Sequence, residues 1–146
     1  MRIGLDVHGV ITADPQFFSD FSKYCRDQGD QVFVITGSMS TPQLTKQLDG
    51  FNIYRDQVYS ITDYQLKKGT FVSFDEKGNP WIEEETWNKT KAILCKIYKV
   101  DIHIDDSFIY GKYFSTPYIL YKMGEFKFQN QIFSPSTPSE LYQIIS

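Results

Sequence analysis

The chain has 146 residues, 41% hydrophobic and 23% charged, which suits one domain with one core. Its net charge of −3, with no basic run, excludes a broad electrostatic footprint for DNA or RNA. No apolar run approaches the roughly 20 residues of a membrane span, so no membrane partner is expected.

Met1 leads straight into an apolar stretch, which leaves no room for a signal peptide and points to a cytoplasmic chain. The two cysteines, Cys25 and Cys95, lack metal-ligand spacing and read as reduced core residues. The aromatic content of 16% reads as packing, with a base-stacking surface for nucleic acid as the alternative.

Ile3, Leu5 and Val7 open the chain in an apolar stretch broken by Asp6 and followed by Gly9. This is the pattern of a buried strand running into a tight loop, with Val10 and Ile11 packing that loop onto the core. Asp14-Pro15 has the form of an N-cap and a first helical position. Phe17, Phe18, Phe21, Tyr24 and Cys25 then recur at helical spacing, and Gly29 ends the helix. Gln31 to Thr36 is a second apolar strand, leading into Gly37 and Ser38. A helix between two such strands is a βαβ unit with parallel strands. Asp6 and Thr36 therefore leave the sheet at the same edge.

Pro42 opens a helix through Gln43 to Leu48, closed by Gly50, and Gln57 to Ile61 reads as a third strand. Over residues 62–87 the pattern breaks. Residues 70–74 and 80–82 are strand-like pieces around Glu76-Lys77-Gly78-Asn79, the pattern of a small β-hairpin inserted into a single domain spanning 1–146. Lys89 to Lys99 reads as a helix. Residues 100–107 form a fourth strand ending in Asp105 and Asp106, and Tyr118 to Tyr121 a fifth. His103 alternates within its strand and reads as a satisfied structural histidine. A polar, Pro/Ser-rich tail ends in a short helix over Glu140 to Ile145.

In an open parallel sheet, ligands sit at the carboxyl ends of the strands. Those ends deliver Asp6 with His8, then Thr36, then Asp105 with Asp106, and a helix between them carries Lys89 and Lys91. Asp6-Val7-His8-Gly9-Val10-Ile11 resembles the first motif of the haloacid dehalogenase-like (HAD) phosphohydrolases, a hydrophobic strand followed by Asp-x-Asp-Gly-Thr/Val. His8 stands where most phosphatases of that family have their second aspartate. Over residues 2–110 the order also resembles the other three motifs. Thr36 matches the strand ending in Thr or Ser, a helix lysine the third, and Asp105-Asp106 the acid pair. Lys91 is preferred to Lys89 on its spacing to the acids.

The resemblance implies a three-layer, Rossmann-like (HAD-like) α/β fold with a mainly parallel sheet of about five strands. It implies a phosphohydrolase acting on a phosphomonoester, with Asp6 as nucleophile through an aspartyl-phosphate. His8 takes the place of the general acid/base, a role open to an imidazole. Thr36 and Gly37 hold phosphate oxygens, and Lys91 neutralises the phosphate and holds the nucleophile. Mg²⁺ is the implied cofactor, ligated by Asp6, the backbone carbonyl of His8 and Asp106, with Asp105 ligating or holding a metal water. The alternative is a HAD-like domain that binds a phosphorylated ligand or a protein partner without turnover. Residues 62–87 are too few for a full cap, which implies an open site for a phosphorylated substrate such as a nucleotide or a nucleic-acid end. The hairpin, with Phe71, Phe74 and Trp81, is then expected either to shield the site or to make the contact of a homodimer.

Overall fold

The computed structural model describes residues 1–146. Its strands are β1 (Arg2–Leu5), β2 (Gln31–Thr36), β3 (Gln57–Ser60), β4 (Ser73–Phe74), β5 (Pro80–Trp81), β6 (Ile102–Asp105), β7 (Tyr118–Lys122), β8 (Glu125–Phe128) and β9 (Gln131–Phe133). Its α-helices are α1 (Pro15–Asp27), α2 (Pro42–Gly50), α3 (Ile61–Lys68), α4 (Glu84–Ile97) and α5 (Pro138–Ile145). Seven strands form one sheet in the order β3-β2-β1-β6-β7-β8-β9. The first five of that order run parallel, and β8 and β9 join antiparallel at one edge. This is a mostly parallel α/β sheet flanked by helices, compatible with a Rossmann-like fold.

Strands covered on both faces need near-continuous apolar runs, and β1 and β2 supply them. Ile3, Leu5, Val32, Val34, Ile102 and Ile104 join Phe18, Phe21, Leu44, Leu48 and Leu141 in the larger core, under α1, α2 and α5. On the opposite face Phe33, Ile35, Leu94, Cys95 and Val100 form a smaller core under α4. Helix starts are fixed locally. Asp14 accepts from the Phe17 N–H at 3.1 Å, Thr41 from Leu44 at 3.2 Å and Thr137 from Glu140 at 3.3 Å, each followed by a proline. Both cysteines are buried free thiols, and burial pushes each up to about 12. No helix is long and apolar enough to cross a membrane.

Several boundaries differ from the sequence reading. Val7 lies beyond β1, in the turn over Val7–Ile11, because the chain leaves the sheet at Asp6. Residues 61–68 form α3, and α4 begins at Glu84, so the insertion is shorter than 62–87 and its hairpin pairs only Ser73 with Trp81 and Phe74 with Pro80. The sheet has seven strands rather than five, because the stretch after β7 folds back twice. Met123 and Gly124, then Gln129 and Asn130, take positive φ in two tight hairpin turns.

Candidate active site

The strand order reverses between β1 and β6, and a crevice at such a switch point is where open α/β sheets take ligands. The Asp6 N–H donates to the Ile104 carbonyl at 3.0 Å, so Asp6 leaves the sheet beside the end of β6. Asp105 is the last residue of β6. The two carboxylates thus meet across the switch point.

Lys91, on α4, lies between them. Its Nζ donates to Asp6 Oδ1 and to Asp105 Oδ2, each at 2.7 Å, and all three side chains are buried. Lys89, two residues earlier, is exposed. The partners are divided unequally. Asp105 also accepts from His103 Nε2 at 2.9 Å and from the Ser107 N–H at 3.1 Å, whereas Asp6 has only the Lys91 bond. Burial pushes Asp6 up to about 7 against the pull of Lys91, and repulsion from Asp105 and Asp106 adds to the rise. Burial alone would raise Asp105 too, but Lys91 and His103 outweigh it and hold its carboxyl below the ordinary range. Burial alone would lower Lys91, and the two carboxylates outweigh that and hold its ammonium above its ordinary value. Two acids in contact are thereby pushed apart in acidity.

Asp106 completes an acidic trio. Asp6, Asp105 and Asp106 each offer a carboxylate oxygen, and these lie within 4.8 Å of one another. That donor set suits a hard divalent cation. Asp105 already accepts from Lys91, His103 and the Ser107 N–H, which leaves Asp6 and Asp106 the less engaged carboxylates of the trio. Gly9 is required there. It sits at φ 83°, and a Cβ on it would collide with the Asp106 carboxylate.

Asp6, Gly9, Lys91 and Asp106 line a cleft of about 510 Å³ together with His8, Gly37, Ser38, Trp87, Ser107 and Tyr110, and Asn79 and Pro80 of the hairpin reach it as well, while Asp105 stays buried behind it. His8 is exposed, its Nε2 3.5 Å from Ser38 Oγ. Thr36, expected beside the phosphate, sits behind the cleft wall. Thr36 is fully buried, does not line the cleft, and its hydroxyl accepts from the Ser38 N–H at 3.2 Å. It shapes the turn that presents Gly37 and Ser38. Thr62 supports the same turn by donating to the Gly37 carbonyl at 2.7 Å.

Three members of the site were not anticipated. Trp87 Nε1 donates to Tyr110 Oη at 2.8 Å, Lys91 Nζ stands 5.3 Å from the Tyr110 ring centroid, and the Trp87 ring packs so closely on Gly37 that a Cβ there would come within 2.6 Å of it. The third is His103, which is only half satisfied, since its Nδ1 is buried without a hydrogen-bond partner. The Gly4 backbone lies beside Nδ1 but completes no hydrogen bond with it. His103 and Asp105 lie two residues apart on one strand, hence on one face, and that spacing was the available signal. Comparison with known protein families and with curated protein sequences finds no match.

Proposed function

We propose that the chain is a Mg²⁺-dependent phosphohydrolase of the HAD type, acting on phosphomonoesters. The observation that carries the reading is Lys91 shared between Asp6 and Asp105 at the switch point, with Asp106 beside them. Asp6 has an oxygen outside the Lys91 bond and lines the cleft, as a nucleophile must. A cation held by Asp6, Asp106 and the His8 carbonyl would offset the negative charge of the incoming phosphate. Asp6 attacks phosphorus, the ester P–O bond breaks, and His8 gives a proton to the departing alcohol oxygen. His8 then takes a proton from water, whose oxygen attacks the aspartyl-phosphate and releases phosphate. Lys91 holds Asp6 in place and balances charge through both steps.

The test is phosphate release from a panel of phosphomonoesters, with and without Mg²⁺, for the wild type and Asp6→Asn. Turnover lost in the variant and in the metal-free sample is the expected result. If no ester is hydrolysed while Mg²⁺ still binds, the chain is a binding domain for a phosphorylated ligand instead.

A further inference from the structure

The hairpin side of the cleft borders another space. A second groove of about 390 Å³ is lined by Pro80, Trp81, Ile82 and Trp87, with Asp75 and Glu84 as its acidic members. Asn79, Pro80 and Trp87 line both spaces, so the two adjoin along a shared wall. Trp81 is 64% exposed in a hairpin whose paired strands have two residues each. The hairpin loop is nevertheless fixed, because Asp75 Oδ1 accepts from the N–H groups of Lys77 at 2.9 Å and Asn79 at 2.8 Å. The backbone that carries Pro80 and Trp81 is therefore held in place beside the groove.

Charge divides the two spaces. Lys91 and His8 line the reaction cleft, while no basic residue lines the second groove. A second phosphate would meet Asp75 and Glu84 there. A flat, uncharged ring would meet indole and proline faces, the surfaces on which bases stack.

We propose that the second groove binds an aromatic ring carried by the leaving alcohol, so that the substrate is a nucleoside monophosphate rather than a phosphorylated polynucleotide end. This rests on the phosphohydrolase reading above. The probes are the four common nucleoside 5′-monophosphates, ribose 5-phosphate and a 5′-phosphorylated oligonucleotide, each with Mg²⁺. The mononucleotides and ribose 5-phosphate share a primary alkoxide leaving group and differ by the ring. At least one mononucleotide should exceed the other two probes in kcat/KM by about tenfold, the order that stacking one base supplies, with the difference carried in KM. Trp81→Ala should bring the mononucleotide to ribose 5-phosphate ratio down toward unity. Phe71→Ala should leave that ratio as it is, because Phe71 is exposed on the same insertion and lines neither space. Equal use of mononucleotides and ribose 5-phosphate, preference for the oligonucleotide, or a ratio unmoved by Trp81→Ala would each overturn the inference. If nothing is hydrolysed, calorimetry on the Asp6→Asn protein separates the two ideas. Tighter binding of a mononucleotide than of ribose 5-phosphate, lost on adding Trp81→Ala, keeps the ring subsite while the phosphohydrolase reading falls. Equal binding, or none, overturns the subsite.

Discussion

His103 Nε2 stands 2.9 Å from Asp105 Oδ2, and neither side chain reaches solvent. Asp105 is held ionised and can only accept, so Nε2 carries the hydrogen. Burial pushes His103 down, against the pull of Asp105, and a neutral ring leaves Nδ1 without a proton. The ring stacks on Phe114 at 5.4 Å between centroids. Gly4 makes the space, since a Cβ there would come within 2.6 Å of Nδ1. His103 thus helps fix Asp105, which in turn helps fix Lys91 against Asp6.

His103→Ala leaves a cavity and strips Asp105 of one of its donors. Losing one partner of a buried charge costs about 1–3 kcal/mol, and the cavity adds to it. The melting temperature should fall by roughly 5–15 °C, given a few degrees per kcal/mol for a domain of this size. His103→Gln, which can still donate, should recover part of the loss. An unchanged melting temperature in His103→Ala would mean that the bond contributes nothing to the fold.

Asp6 makes stability depend on pH in the metal-free protein. Its folded-state value is raised to about 7, above the ordinary carboxylate range. Between about pH 4 and 7 the unfolded chain has already lost this proton while the folded chain keeps it. The unfolded state then binds fewer protons, so this group's contribution falls as pH rises and levels off above 7. Asp105 acts oppositely, because its value is lowered; its contribution is present above the ordinary range and is lost in strong acid. Asp6→Asn removes the first slope. The stability difference, variant minus wild type, should therefore grow between pH 4 and 7 by on the order of a few kcal/mol, and the melting-temperature difference should grow with it. Thermal melts in chelator across that range check it, and a difference that stays flat would show that Asp6 is ionised throughout.

The parts of the site at the ends of apolar strands were legible in the sequence, because β1 runs straight into Asp6 and β2 and β6 end in polar residues after hydrophobic runs. Helix α3 was not, because its buried residues are Ile61, Thr62 and Gln65. Gln65 donates to Thr90 at 2.8 Å and accepts from Thr70 at 2.6 Å, so this helix packs through hydrogen bonds rather than an apolar stripe. Strand β8, paired between β7 and β9, did carry a signal, Phe126 and Phe128 alternating with Glu125 and Lys127 after Gly124. The start of α4 also carried one, Glu84 and Glu85 in its first turn. Trp87 and Tyr110 had none, since their meeting over Lys91 depends on how α4 lies against the loop after β6.

Gly9→Ala tests the acidic trio without touching a carboxylate. The substitution forces a side chain into φ 83° and against Asp106. The backbone cost is about 1 kcal/mol, so the fold should survive with a modestly lower melting temperature. Asp106 must move, and Mg²⁺ affinity measured by calorimetry should drop at least tenfold, an order estimate from losing one ligand's position. Wild-type affinity in this variant would remove Asp106 from the ligand set.

On the proposed phosphohydrolase reading, His8 is the group that lets the site turn over alkyl esters. An alkoxide is a poor leaving group and needs a proton as the P–O bond breaks, whereas 4-nitrophenolate leaves without one. His8→Ala should therefore lower turnover of an alkyl phosphate by about 10²–10⁴-fold, the usual worth of a general acid, and lower that of 4-nitrophenyl phosphate far less. His8→Asp should recover the alkyl activity, because a carboxyl in the same turn, near Ser38, reaches the same space. Equal losses on the two esters would show that His8 only lines the cleft, and the proton would then have to come from solvent.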